Sequence, residues 1–528
     1  MPRMMADEAS DHISLAPLIE HLDQLPEVMG PGVGEWAAWP PVRYAIWNAL
    51  YWQPVAVRNL TGKSRFLRIV RQLGFLCRAV VEGAKLLFHS AFDDAEDHVL
   101  VLGTFNVSVD HEQKTSDYLF GDFLNKSAQR LSLPMRGLDF RWSKTCDIPF
   151  FQDNGEMQVR TAVPGMYIGY ALSLLLRYRK GIGKAASELA NIISPKLAGR
   201  FSSEDLFLIA RKHLAIFEAN RLLYRHCLTR GKVKVLIVTN PGGKWGEIAA
   251  AKELGIPVLE LQHGAISATS PEYSYPPYYR SEAARMAIPN QILTFGQAWN
   301  DVVMQSGFWQ PNQIKTTGRG MVDRTRSKAV SAFRPKPNIR LLFASQGDNH
   351  EHASQFLSAL LAGANAQMDS EVNLWIKSHP LEGYAEELYS NLISSFGAQI
   401  SFVENGQDAI EVMKNVDFVL SYHSTILAEA LALGVPAVSI CGGTSPDGFA
   451  GVIDIDGISD NMPHFKGADD LISFLANHVP TSYGYERLSE SCRVFGETLY
   501  ASGFTSRFQE AVDQVIDECC SSYIKNKK

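Results

Sequence analysis

Residues 418–440 read FVLSYHSTILAEALALGVPAVSI. An apolar run, Phe418-Val-Leu-Ser421, gives way to a hydroxyl-rich turn, Tyr422-His-Ser-Thr425. An Ala/Leu segment follows, stopped by Gly434-Val-Pro436, and a second apolar run, Ala437-Val-Ser-Ile440, closes the unit. Strand, helix and strand at this spacing make a βαβ crossover, the building block of a parallel sheet.

The same rhythm extends outward. Upstream lie strand-like runs at Ile339–Ala344, Leu374–Lys377 and Gln399–Val403. Further back come His98-Val-Leu-Val-Leu102, ending in Gly103-Thr104, then Val233–Thr239, Val258–Gln262 and Gln291–Phe295. A small-residue helix is expected over Gly246–Leu254 and another from near Ala298. Two helical segments, near 165–178 and 203–229, sit between the first two strands; the second opens on the capping sequence Ser202-Ser-Glu-Asp205. The uncharged run Thr161–Leu176 contains Pro164 and Gly165 and reads as a buried helix with a loop before it. Residues 317–338 are basic and proline-bearing and break the alternation, so they mark the domain boundary. The expected organisation is an N-terminal arm with a basic helix (1–95), a first α/β domain with a helical insertion (96–325), a second α/β domain (326–480) and a helical tail (481–528). Residues 1–60, with Trp36, Trp39, Trp47, Trp52 and several prolines, read as an irregular arm or cap rather than a domain core, with no role assigned.

Composition bounds the function. Among 528 residues, 46% are hydrophobic and 20% charged, enough apolar material for full-sized cores. Fifty basic against fifty-six acidic residues give −6, which offers no surplus for nucleic acid. Seven scattered cysteines without a C-x-x-C fit neither a disulfide framework nor a zinc site and point to a reducing cytoplasm. The N-terminal MPRMMADEAS shows no apolar signal region, and no uninterrupted apolar stretch reaches the roughly 18 residues of a spanning helix. Over 62–90, Ile69, Leu73, Leu76, Val80 and Leu87 share one helical face, opposite Arg65, Arg68, Arg71, Arg78 and Lys85. That pattern fits first a domain-surface helix with a solvated basic side, and second contact with the inner face of a membrane.

In open α/β sheets ligands sit beyond the carboxyl ends of strands, so residues following strands are the candidates. Four clusters qualify. Gln346-Gly347 can bring backbone N–H groups to an anion. Lys377-Ser378-His379-Pro380 combines a point charge with an imidazole suited to phosphate or to a departing oxygen. Ser424 and Thr425 precede a helix, with Glu429 one turn in and within reach of a ribose. Gln262-His263-Gly264 delivers a histidine to the first domain's strand end, followed by Tyr273 and Tyr275 in a proline-stiffened aromatic stretch suited to sugar stacking.

These clusters resemble bacterial surface-polysaccharide glycosyltransferases of the GT-B fold, closest to the capsule and lipopolysaccharide enzymes of the Kdo- and sialyl-transferase-like groups. The likeness rests on Gln262-His263-Gly264, His379-Pro380 and Ser424-Thr425, and covers about 230–445. It implies two Rossmann-like doubly wound domains facing a cleft, with helical additions at both ends. It implies a nucleotide-sugar donor, a CMP-activated acidic sugar in the closest groups, and a glycan or glycolipid acceptor alongside polysaccharide-assembly proteins. His379, Ser424 and Thr425 would contact the nucleotide phosphates. A base from the first domain, Asp117 or His263, would take the acceptor proton for direct displacement with inversion. No metal or cofactor is expected, and Asp454-Ile-Asp456 reads as a loop. A teichoic-acid-type polyol-phosphate transferase, a sugar-nucleotide epimerase and a non-catalytic carbohydrate-binding subunit are the competing readings.

Overall fold

The computed structural model describes residues 15–51, 96–105, 107–109, 115–121, 123, 131–139, 157–161, 163–197, 200–328, 338–346, 349–378, 385–404, 407–443, 447–449, 453, 455–479 and 482–525. The basic segment 62–90, Gly347 and His379 lie outside them.

Two parallel sheets organise the chain. The first is built from β1 (His98–Gly103), β2 (Met135–Asp139), β3 (Met157–Thr161), β4 (Val233–Val238), β5 (Val258–Leu261), β6 (Gln291–Thr294) and β7 (Ile314–Thr316). Their spatial order is β3-β2-β1-β4-β5-β6-β7, every pair parallel. The second contains β8 (Ile339–Ala344), β9 (Val372–Lys377), β10 (Ile400–Phe402), β11 (Phe418–Ser421), β12 (Ala437–Ile440) and β13 (His464–Phe465), in the order β10-β9-β8-β11-β12-β13, again all parallel. Both sheets thus follow the 3-2-1-4-5-6 order of doubly wound dinucleotide-binding folds. The winding reverses between β1 and β4 in one and between β8 and β11 in the other. The fold class read from the sequence, two doubly wound α/β domains with helical additions, is the one the chain adopts.

The helices that shape the site are α1 (Trp39–Tyr51), α2 (Val163–Leu176), α3 (Ser203–Arg230), α4 (Trp245–Glu253), α5 (Gly320–Lys328), α6 (His350–Gln367), α7 (Ile426–Ala432), α8 (Tyr483–Leu499) and α9 (Phe504–Lys525). The cap expected before α3 is present: Ser202 Oγ accepts from the Asp205 N–H, and the Asp205 side chain accepts from the Ser202 N–H. Among the described residues no helix is long and apolar enough to cross a membrane.

Three expectations need correction. β2 and β3 had no clear sequence signal, because MRGLD and MQVRT are short, charge-interrupted strands at one end of the sheet, β3 being its edge. Helix α2 is only half buried: Tyr167, Gly169 and Ser173 face inward, while Leu175 is 69% exposed. Its all-round apolar composition concealed which side faces water. The arm is not irregular. Its described part, 15–51, is braced internally by a buried Asp23–Arg43 ion pair, and it docks on the first domain where Arg43 donates to the Pro271 and Ser274 carbonyls.

The C-terminal helices return to the first domain. Helix α8 lies so close to α7 that a Cβ on Gly496 would fall 2.5 Å from Ala432 Cα. The Ala501 N–H then donates to Phe295 O at 2.8 Å, and Trp299 Nε1 donates to Leu499 O at 2.8 Å. Asp323 of α5 accepts from the Gly503 and Phe504 N–H groups at the start of α9. Phe504 and Phe508 of α9 pack edge-on against Phe120 and Phe123. The apolar core of the first domain consequently runs on into α7 of the second.

Candidate functional site

At the second sheet's reversal, the loops after β8 and β11 are tied together. Ser421 Oγ donates to Ala344 O at 2.8 Å, and Gln346 Oε1 accepts from the His423 N–H at 3.0 Å. Ser424 and Thr425 follow, both half exposed, and Thr425 makes no side-chain cap to the helix it precedes. Lys377 ends β9 across β8, level with Ala344. Burial lowers its pKa and the Asp408 carboxylate partly offsets this. Gln346, Lys377, Ser424 and Thr425 therefore share one carboxyl edge, as their strand-end positions required. Two residues of this edge escaped the sequence reading. His352 Nδ1 lies 2.7 Å from Tyr422 OH, and its ring occupies the space where a Cβ on Gly442 would be (φ +139°). Asn349 sits equally close to Gly443. The available signal was the His350-Glu-His352 sequence opening a helix just after a strand.

The first domain's edge is a polar assembly in which Gln262 is buried and Asn240, Lys244 and His263 are half-buried. Gln262 is fully buried and spends its amide on backbone: Oε1 accepts from the Phe295 N–H at 2.7 Å and Nε2 donates to Gly264 O at 2.8 Å. It pins the ends of β5 and β6 and thereby aims His263. Asn240, just past β4, accepts from the Gly242 N–H through Oδ1 at 2.7 Å, which leaves Nδ2 to donate to His263 Nε2 at 3.2 Å. That network puts the His263 proton on Nδ1. Burial, aided by the Lys244 charge, depresses the His263 pKa to about 4, so the ring is neutral at physiological pH. Lys244 Nζ donates to Asn240 O at 2.9 Å. Lys244 and Asn240 had no motif to announce them; both lie in the turn after a strand, where the sequence reading looked only for histidines and hydroxyls.

Tyr273 and Tyr275, expected to stack on sugar, are core residues. Tyr273 OH donates to the buried Glu260, and its carbonyl takes the Trp309 indole N–H at 2.7 Å. Tyr275 packs on Phe308 with Arg43 over its ring. The docked arm presses this stretch inward, so no aromatic face of either is left for a ligand. Asp117 is also buried, and its Oδ1 accepts from the Leu119 and Phe120 N–H groups at 2.8 and 3.0 Å. It stabilises the turn that presents Tyr118.

Tyr118 connects the two edges. Its hydroxyl donates to His263 O at 2.6 Å, and the Arg319 guanidinium lies 3.9 Å from its ring centroid. Arg319, just beyond β7, donates through Nε to Tyr118 O at 3.1 Å and through Nη1 to Glu429. This ion pair is buried, with Arg319 1% and Glu429 6% exposed. Burial opposes the Arg319 charge, but the Glu429 carboxylate together with the Tyr118 and Tyr500 phenols holds the guanidinium above its ordinary pKa. Glu429, expected at a ribose, is engaged across the domain boundary instead. It lies one turn beyond Thr425, so the carboxyl edges of the two sheets face one another here.

No family model matches the chain, and no curated protein matches it. Solved structures with a similar course include a UDP-N-acetylglucosamine 2-epimerase (12% identity, 82% of this chain and 98% of that one, TM-score 0.45). A variant of the wall teichoic acid polymerase TagF aligns over 86% of this chain and 99% of its own at 11% identity and TM-score 0.45. The UDP-GlcNAc 2-epimerase from Neisseria meningitidis bound to UDP-GlcNAc aligns over 80% and 100% at 13% identity and TM-score 0.44.

Proposed function

We propose that the chain is a nucleotide-sugar-dependent glycosyltransferase of bacterial surface polysaccharide synthesis. The observation that carries this reading is the Tyr118–Arg319–Glu429 link, which ties the His263 loop to the helix behind Ser424 and Thr425. One active centre needs two substrates brought together, and two doubly wound edges joined in this way supply two opposed strand-end surfaces. The donor diphosphate or monophosphate is held by Gln346, Gly347, Lys377, His379, Ser424 and Thr425. A CMP-activated acidic sugar is the donor class favoured by the sequence resemblance, and inner-leaflet contact through 62–90 brings a glycolipid acceptor within reach.

His263 is the acceptor-side base in this proposal, taking the acceptor proton at Nε2 once the acceptor hydroxyl displaces Asn240 Nδ2 from it. A pKa near 4 is low for that role in the free protein. A bound nucleotide phosphate places negative charge near the ring and raises that value toward neutrality. Lys377 and His379 stabilise the departing phosphate, and fixed donors take the part that a metal plays elsewhere. Asp117 acts through Tyr118 by shaping its turn.

The test is a thermal-shift screen of CMP, UDP, GDP and CDP followed by product analysis with lipid-linked and soluble glycans. Stabilisation by one nucleotide and acceptor-dependent release of it support transfer. Turnover of a sugar nucleotide without any acceptor would identify an epimerase and sink the proposal.

A further inference from the structure

A cavity of about 430 Å³ lies beside the first domain's edge, between α2, α3 and the turn that enters α4. Its size falls within the roughly 300–1,000 Å³ of small-molecule sites. Tyr167 and Tyr170 of α2 and Tyr224 of α3 supply aromatic wall; Asn220, Lys244 and Glu247 supply the polar side. Glu247 is 2% exposed. Its Oε1 accepts from Asn220 Nδ2 at 3.1 Å, while its buried Oε2 has no hydrogen-bond partner. Burial raises the Glu247 pKa to about 7, against its own backbone N–H, the Lys244 charge and the Asn220 hydrogen bond. A buried carboxyl oxygen left unsatisfied is costly unless a ligand supplies a donor.

The pocket is built rather than accidental. Helices α2 and α3 touch where a Cβ on Gly169 would strike Asn220 Oδ1 at 2.4 Å, so the amide is pressed into position beside Glu247. Tyr44 of the arm closes on Gly242 and meets Trp245 edge-on, holding the turn in place. Lys244 beside Glu247 leaves little net charge, which disfavours an anionic ligand. A saturated hydroxylated ring suits both sides: its C–H faces rest on tyrosine rings and its hydroxyls reach Asn220, Lys244 and Glu247 Oε2. Lys244 and Asn240 then connect this polar side to His263 by two hydrogen bonds.

We infer that this cavity binds a sugar unit of the acceptor, adjacent to the unit that reacts at His263. The pocket stands on its own geometry; its assignment to the acceptor rests on the transferase reading. Occupancy here selects which glycan is extended, because an acceptor whose neighbouring sugar does not fit cannot reach His263 in register.

The test uses the full chain, methyl glycosides of glucose, galactose and N-acetylglucosamine, and cytidine as a non-sugar probe. Binding is read by ligand-observed NMR, and nucleotide binding separately by thermal shift. In Gly165→Leu the new Cβ meets Leu223 Cδ2 and Tyr224 OH at 3.9 Å, ordinary contact, so the side chain grows into the cavity without disturbing α2. At least one glycoside is expected to bind, weakened at least tenfold by Gly165→Leu and several-fold by Glu247→Gln. Stabilisation by the preferred nucleotide is expected to be unchanged in both. Absence of glycoside binding, binding of cytidine in its place, or glycoside binding that survives Gly165→Leu would overturn the pocket while leaving the transferase reading intact. Glycoside binding with the expected losses, in a chain that no nucleotide stabilises, would uphold the sugar pocket and bring down the transferase reading instead.

Discussion

Replacing Arg319 by Met removes the charge that holds the domains together while keeping most of the side-chain volume. Glu429 is then left buried and unpaired, a situation that costs about 3–5 kcal/mol. The lost hydrogen bond from Nε to Tyr118 O adds about 1 kcal/mol. At about 2–4 °C per kcal/mol for a domain of this size, the ion-pair loss alone lowers the melting temperature by roughly 6–20 °C. The companion changes are Glu429→Leu and the double variant. Apolar residues can replace a buried pair at little cost, so the double variant should recover much of the loss and show roughly 2–3 kcal/mol of non-additivity. Thermal and urea melts followed by tryptophan fluorescence measure all four proteins. The reasoning is refuted if Arg319→Met melts within about 1 kcal/mol of wild type, or if the two single effects add.

Glu260 offers a pH test. Burial raises its carboxyl to about 8 against an ordinary value of 4.5, so the folded chain holds a proton that the unfolded chain releases between those values. That contribution to stability is present below pH 4.5 and is lost as pH rises through about 8. Glu260→Gln, which keeps the acceptor for Tyr273, should therefore gain on wild type as melts are taken from pH 5 to 9; a constant difference would contradict the burial argument. At the donor site, His379→Ala should lower transfer by two orders of magnitude or more while circular dichroism stays unchanged. Undiminished turnover would remove His379 from the phosphate site.

Much of this architecture was legible because strands buried on both faces announce themselves. Val233–Val238 and Phe418–Ser421 are continuous apolar runs, and the turn residues after them stand out by contrast. The same contrast located Gln346, Lys377, Ser424 and Thr425 on one edge. It failed for the edge strand β3 and its short, charge-interrupted neighbour β2, and for Asn240, Lys244 and Glu247, whose importance comes from their surroundings rather than from residue type. Tyr273 and Tyr275 misled because an aromatic, proline-flanked stretch looks alike whether it faces a ligand or a docked arm.

The sequence by itself determined the elements: local apolar periodicity, the Ser202 cap and the glycine and proline stops are short-range properties, and they suffice for two parallel α/β units. Only the tertiary structure decided what those units share. Tyr118, Arg319 and Glu429 are far apart in the chain, and their meeting depends on the α8–α9 return onto the first domain and on the low dielectric of the closed boundary. Glu247 and His263 likewise owe their displaced pKa values, about 7 and about 4, to burial that no local pattern encodes.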